Sequence, residues 1–185
     1  MSNTTLWLFC GYAKSGKDTA ADLFQTILQS QGSVHKTAFA AVVKDEVAER
    51  YRLSRDMLDT QEGKAAPLPS GGTVRDLLIH HAESEKRRTQ NPAIWAERIA
   101  PPPAGTTHWL FTDWRFPEEY TTLRRRFPDA RIFTVHVHRP TLTPLTTYTE
   151  HMLDVGACHF RLENSGSLLY LGKQLEAVFA AANTP

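Results

Sequence analysis

The sequence predicts an α/β fold in which a parallel sheet is flanked by helices. Short apolar runs alternate with amphipathic stretches of helical period along the 185 residues, the pattern of repeated strand–helix units. The first strand-to-helix junction, Gly11 to Thr19, reads GYAKSGKDT and is bounded by glycines. Charged residues recur where the apolar runs stop, and in a parallel sheet ligands sit beyond the carboxyl ends of the strands.

Taken in order, Leu6-Trp7-Leu8-Phe9-Cys10 is an apolar run of strand length. Lys17 to Gln31 is helical, with Ala20, Leu23, Phe24, Ile27 and Leu28 on its apolar face. Val34–Phe39 alternates as a strand does. Ala41–Tyr51 is a helix with Val42, Val43 and Val47 inward and Lys44, Glu46 and Glu49 outward. Thr60–Gly72, with two prolines and three glycines, reads as a mobile loop. Thr73–Arg88 is a helix carrying Val74, Leu77, Leu78 and His81 on one stripe. Pro92 suits the first turn of a short helix through Ile99, where a missing N–H costs nothing, and Pro101-Pro102-Pro103-Ala104-Gly105 ends it. His108–Thr112 is a buried strand ending at Asp113, Pro117 opens a helix to about Arg126, and Ala130–His138 is a long strand. Leu142–Val155 is irregular, His159–Leu162 is the last strand, and Ser167–Ala182 closes the chain as a helix with Leu168, Leu171, Leu175 and Val178 inward.

An apolar fraction of 41% and a charged fraction of 22% are ordinary for a soluble protein. A chain of this length suits one domain and buries roughly 70% of its unfolded surface. The net charge of +1 offers no global field for nucleic acid or a membrane, so neither is an expected partner. Arg124-Arg125-Arg126 reads as a solvated helix face, while Lys86-Arg87-Arg88 lies near other candidate residues. Cys10 and Cys158 are far apart in sequence, and reduced thiols without a disulfide framework suit the cytoplasm. The segment MSNTTLWLFC lacks a basic n-region, and its apolar run is too short to span a bilayer, so a cytoplasmic location is expected.

The chemistry begins in GYAKSGKDT. Its glycines let the backbone curl until successive N–H groups face one concavity, the helix N-terminus adds partial positive charge, and Lys17 supplies a point charge for β- and γ-phosphates. These are the requirements of the P-loop NTPase fold, and they make Ala13, Lys14, Ser15, Gly16, Lys17, Asp18 and Thr19 the expected ATP-binding residues. After the lysine such loops ordinarily carry Ser or Thr, whose hydroxyl ligates Mg²⁺. Here Asp18 stands there and Thr19 follows, so both are candidate metal ligands.

Asp113-Trp114-Arg115-Phe116-Pro117-Glu118-Glu119 follows the strand Trp109-Leu110-Phe111. An acidic residue at such a strand end reaches the metal or its waters in many P-loop proteins, or else caps the following helix. Arg115 in the same loop offers a bidentate donor to an anionic substrate. Arg75 on its helix and Arg139 at a strand end are further phosphate candidates, and the turn Asn164-Ser165-Gly166 falls at the same edge of the sheet. Trp95 serves either as core or as a wall against a flat base. His136 and His138 alternate on one strand face, but no third metal ligand accompanies them.

GYAKSGKDT, the A-F-A-x-x-x-K stretch ending at Lys44, Val74-Arg75, Trp95, DWRFPEE, His138-Arg139-Pro140, Thr149-Glu150 and Leu162-Glu163-Asn164-Ser165-Gly166-Ser167-Leu168 occur in the order in which similar segments occur in bacteriophage-type deoxynucleoside monophosphate kinases. The chain resembles that family over nearly its whole length. The GKDT form of the loop and the spacing of Asp113, Arg115 and Glu119 are the most specific points, and Ala82 stands where that family often has glycine. The resemblance implies a nucleoside monophosphate kinase-like fold, with residues 1–185 as one P-loop kinase domain. Within it, about 44–105 would be a helical acceptor-binding part and about 140–155 a lid. It implies ATP as phosphoryl donor, Mg²⁺ as cofactor, a small-molecule monophosphate as substrate, and action in the cytoplasm, including that of a host if the protein is phage-encoded. Lys17, Arg75, Asp113 and Arg115 would be catalytic. Lys44, Trp95, Glu119, Arg139 and Glu150 would join Arg75, Asp113 and Arg115 around the acceptor, and Asn164, Ser165 and Gly166 would pass beside the adenine. The short insert before Arg75 leaves base selectivity open, and a homodimer is compatible with the sequence. The animal-type phosphomevalonate kinases share the GKD loop, an arginine on the equivalent helix and the Glu85-Lys86-Arg87 and Pro92 region, and form the alternative, beside a nucleotide-binding regulator without turnover.

Overall fold

The computed structural model describes residues 4–142, 153 and 158–184. They group into two compact units, one made of Phe39–Ile99 and the other of the chain on either side of it. Among the described residues no helix is long and apolar enough to cross a membrane.

The first unit is built on β1 (Thr5–Cys10), β2 (Val34–Thr37), β3 (His108–Phe111), β4 (Arg131–His138) and β5 (Phe160–Glu163), all parallel in the order β2-β3-β1-β4-β5. The central strand β1 is bonded on both sides and all six of its residues are buried, which is why it reads as a nearly continuous apolar run and not as an alternation. The register sets Trp7 beside Leu110 and Phe133, and Cys10 beside His136. With side chains alternating along each strand, Trp7, Phe9, Val135 and Val137 share one face, and Leu8, Cys10, Thr134 and His136 the other.

Two helices cover the first face. Ala20, Ala21, Phe24 and Leu28 of α1 (Lys17–Gln29) and Leu171, Leu175, Val178 and Ala182 of α8 (Leu168–Ala182) close one core with Trp7 and Phe9. Phe24 meets Trp7 edge-on at 4.7 Å. On the opposite side, Leu123 of α7 (Pro117–Arg126) is buried, and Phe127 just past its end meets Trp109 edge-on at 5.2 Å.

The Phe39–Ile99 unit is helical: α2 (Phe39–Tyr51), α3 (Arg55–Asp59), α4 (Gln61–Ala65), α5 (Val74–Thr89) and α6 (Ile94–Arg98). Thr73 caps α5 with Asp76 in reciprocal hydrogen bonds, Asp76 N to Thr73 Oγ1 at 3.2 Å and Thr73 N to Asp76 Oδ2 at 2.9 Å. A polar network joins the long helices. Arg98 donates to Glu46 at 2.7 and 3.0 Å and to Glu85 at 2.7 Å, Arg88 donates to Glu85, and His81 Nε2 lies 3.0 Å from Glu46. The Arg98 guanidinium also lies 5.3 Å from the Trp95 ring centroid.

Several expectations shift. Phe39 begins α2 instead of ending β2, and Pro92 precedes its helix, which starts at Ile94. The stretch Thr60–Gly72 contains α4, capped by Thr60, whose Oγ1 accepts from Gly63 N at 2.9 Å. Leu68 N donates to Gly72 O at 2.9 Å, so local hydrogen bonds organise a segment whose prolines and glycines suggested only a loop. Leu168 is not inward but 60% exposed, because the whole first turn of α8, Leu168-Leu169-Tyr170, stays outside the core and burial begins at Leu171. Most of the predicted irregular stretch Leu142–Val155 lies outside the described residues.

The network generates a pH prediction. Arg88, with Arg98, lowers the Glu85 pKa from 4.5 to about 2. A depressed carboxylate contributes stability that is present above its unfolded pKa and lost as pH falls through the folded one. Urea denaturation of wild type and Glu85→Gln should therefore differ most at neutral pH, and the gap should close between pH 4.5 and about 2. A gap independent of pH would remove Glu85 from the list of stabilising charges.

Candidate functional site

The loop after β1 has the curvature that its glycines require. Gly11 has φ 143°, and a Cβ there would overlap the Val137 carbonyl oxygen and stand 2.7 Å from Ser15 Oγ. Lys14 (φ 64°) and Gly16 (φ 90°) are left-handed on either side of Ser15, a backbone alternation that turns successive N–H groups inward into an anion nest. Ser15 N donates to Tyr12 O at 3.0 Å, and Ala20 N to Gly16 O at 2.8 Å begins α1. Ser15 is buried, and its Oγ, packed beside Gly11, has no hydrogen-bond partner among the described residues.

The turn after β5 clamps this loop. Asn164 Nδ2 donates to Ser15 O at 2.8 Å, Asn164 N donates to His138 O at 2.7 Å, and the same side-chain amide fills the space that a Cβ on Gly16 would need. Ser165 Oγ donates to Glu163 at 2.7 Å, which orders the rest of the turn. Asp18 and Thr19 are exposed on the first turn of α1. Their donors are all oxygen, the set Mg²⁺ prefers, so these residues fit the ion that the loop implies.

The segment from Asp113 to Glu119 reaches the same edge of the sheet. Trp114 N donates to Phe9 O at 3.1 Å, and Trp114 Nε1 to Phe116 O at 2.8 Å. Glu119 is buried, and its Oε2 accepts from Arg115 N at 3.0 Å and Phe116 N at 3.1 Å. The carboxylate therefore holds the backbone that carries Arg115, and caps α7 behind Pro117. Arg115 lines a cavity of about 20 Å³ with Gly11, Tyr12, Trp114 and His136. Burial, with the charges of Arg161 and His138, lowers the His136 pKa to about 4, so the ring is neutral at physiological pH, and its Nδ1 has no partner among the described residues. The His136 and His138 rings stack at 6.2 Å, and no cluster of metal-binding type occurs among the described residues.

Strand-end reasoning thus brings Gly11, Tyr12, Arg115 and Asn164 to one edge, with Arg139 exposed just beyond β4. In the helical unit, Lys44 Nζ is held by Asp59 at 2.8 Å and Arg75 by Gln61 at 2.7 Å, and Trp95 is buried beside His81. Glu150 and most of the expected lid at 140–155 lie outside the described residues. Two features escaped the sequence. Trp114 and His136 line the cavity, and Cys10 Sγ lies 3.6 Å from Cys158 Sγ although 148 positions separate them. No local signal in the chain announces such a pairing.

No protein-family model matches the sequence, and no curated protein matches it significantly. Among solved structures, the chain is similar to the APS kinase CysC of Mycobacterium tuberculosis in complex with AMPPNP and APS, at 14% identity over 100% of both chains with a TM-score of 0.50. It is also similar to APE1195, at 12% identity over 98% of this chain and 97% of that one with a TM-score of 0.52. The five-stranded parallel sheet flanked by helices is the fold that P-loop kinases have.

The clamp makes a stability prediction. Gly16→Ala should cost about 1–3 kcal/mol, because a side chain must take the left-handed conformation and displace the Asn164 amide. In an Asn164→Ala background the overlap disappears and only the backbone strain remains, so the same substitution should cost less. Equal costs in thermal denaturation would show that Asn164 is not what excludes a side chain at Gly16.

Proposed function

We propose that the protein transfers the γ-phosphoryl group of ATP to the phosphate of a deoxynucleoside monophosphate, giving the diphosphate. The observation that carries this reading is the position of Arg115. Arg115 lines a cavity with Gly11 and Tyr12, at the start of a loop shaped for a polyphosphate, on backbone held by buried Glu119. A planar fork there suits a second phosphate brought next to the first. The fold is shared with a kinase bound to AMPPNP and APS, which supports a donor nucleotide and a separate small acceptor. The choice of a deoxynucleotide rests on the sequence resemblance.

In this reading an acceptor phosphate oxygen attacks the γ-phosphorus while the bond to the β–γ bridging oxygen breaks and ADP departs. The acceptor oxygen is already a nucleophile, so the protein contributes position and charge. Lys17 and the loop N–H groups hold the donor phosphates and take up charge on the bridging oxygen. Arg115 orients the acceptor, with Asp113 two positions before it and Arg139 just beyond β4, which lies on the other side of β1 from β3. Asp18 and Thr19 would hold Mg²⁺, which when bound would add to the charge neutralisation at the phosphates. By resemblance, Lys44, Arg75, Trp95 and Glu150 serve the acceptor, and Asn164, Ser165 and Gly166 flank the adenine.

Steady-state ADP release with ATP, Mg²⁺ and a panel of monophosphates tests the reading. Turnover with a deoxynucleoside monophosphate supports it. Turnover with mevalonate phosphate alone makes the protein a different small-molecule kinase, and nucleotide binding without turnover makes it a regulator. Lys17→Ala should lower turnover by about 10²-fold or more with the fold retained, since oriented charge of this kind acts on the transition state. Arg115→Lys keeps the charge but loses the fork. Acceptor affinity, turnover or both should fall by about tenfold or more while ATP-analogue affinity stays near wild type in separate calorimetric titrations. Loss of ATP affinity with acceptor affinity intact would assign Arg115 to the donor.

A further inference from the structure

We propose that Cys10 and Cys158 form a reversible dithiol–disulfide site whose closure weakens nucleotide binding at the adjoining phosphate loop. The proposal takes from the kinase reading only that this loop binds the nucleotide.

The two thiols are built into a defined place. Cys10 is the last residue of β1 and is buried; Cys158 leads into β5 and is partly exposed. In the sheet β4 lies between those strands, so the pair reaches across it, on the face that carries Thr134 and His136. The Cys158 end is held by its neighbour. His159 N donates to Thr134 Oγ1 at 2.9 Å, and Thr134 Oγ1 lies 2.8 Å from His159 Nδ1. The Cys10 end is held by β1, hydrogen-bonded into the centre of the sheet. Two sulfurs 3.6 Å apart on anchored backbones need to approach by about 1.5 Å to bond.

The chemistry divides between the two residues. The hydrogen bond between the Cys10 and Cys158 sulfurs, with burial, raises the Cys10 pKa. The same bond, helped by the Thr134 hydroxyl, lowers that of Cys158. Cys158, the more exposed and the more acidic of the two, is then the one that reacts with an oxidant first, through its thiolate form. With hydrogen peroxide, the Cys158 sulfur attacks one oxygen, the O–O bond breaks, and sulfenic acid and hydroxide form. The Cys10 sulfur attacks the Cys158 sulfur, the S–O bond breaks, and hydroxide leaves with the Cys10 proton as water. Two thiols are oxidised and one peroxide is reduced to two waters. An external dithiol reverses the step.

Closure reaches the loop because the next residue has no slack. Gly11 follows Cys10 directly, at φ 143°, packed against the Val137 carbonyl and Ser15 Oγ, and both Cys10 and Gly11 line the cavity that Arg115 shares. Pulling the Cys10 sulfur toward Cys158 moves the residue from which the phosphate nest starts.

The experiment treats the full chain with hydrogen peroxide, then counts free thiols, measures intact mass, and titrates an ATP analogue calorimetrically before and after. Wild type should lose both thiols and two hydrogens in mass within one chain. Its ATP-analogue affinity should fall by about fivefold or more, and dithiothreitol should restore both. By reciprocity, saturating nucleotide should disfavour the disulfide by the same factor. Cys158→Ser should bind the analogue as reduced wild type does and show no loss of affinity on peroxide treatment. Retention of two thiols, or a disulfide only between chains, overturns the site. An intramolecular disulfide with unchanged affinity overturns the coupling. Failure of reduced wild type to bind nucleotide refutes the kinase reading and the coupling together, while the thiol count still decides the disulfide.

Discussion

The contact between Asn164 and the phosphate loop is the constraint on which the site depends. The Asn164 amide donates to Ser15 O and occupies the volume where Gly16 lacks a side chain, so loop and turn define each other's shape. A buried carbonyl without such a donor would cost about 1–3 kcal/mol, and a loop free to relax would lose the left-handed steps at Lys14 and Gly16 that aim its N–H groups. The clamp is itself anchored, because Asn164 N bonds to His138 O at the end of β4. The phosphate nest is therefore held from both sides of the sheet's carboxyl edge: by β1 behind it and by the β5–α8 turn across it.

A second polar group plays an analogous part for Arg115. Buried Glu119 spends its carboxylate on two backbone N–H groups, and Trp114 bonds both to β1 and to Phe116. The loop bearing the guanidinium is thus rigid at its root while the charged end stays exposed. Rigidity at the root and freedom at the tip suit a side chain that must meet an anionic group without being consumed by an internal ion pair.

The Phe39–Ile99 unit follows a different logic. Its helices are joined by Glu46, His81, Glu85 and Arg98 as well as by apolar residues, and each carboxylate of that network has a charged or imidazole partner. Charge-assisted hydrogen bonds restrict geometry more than apolar contacts of similar area do, since each demands a distance and an angle. Lys44 and Arg75 are likewise engaged, with Asp59 and Gln61, so any anion they serve competes with a partner already present.

What the sequence determined by itself was whatever short-range physics encodes. The apolar run Leu6–Cys10, Pro117 at the start of α7, the helices expected from Thr73 and from Ser167, and the GYAKSGKDT loop all rest on patterns within a few residues, and each lies where the chain predicted, with Thr73 and Ser167 serving as the caps of α5 and α8. The parallel sheet followed from the alternation of those pieces. Only the tertiary structure decided the order β2-β3-β1-β4-β5, and with it every contact that spans the chain. Asn164 against Ser15, Cys10 against Cys158 and Glu46 against Arg98 carry no local pattern, because sheet register and helix packing, not sequence spacing, bring their atoms within reach. Leu168 shows the same limit from the other direction: its helical stripe promised burial, and packing that begins only at Leu171 left the side chain exposed.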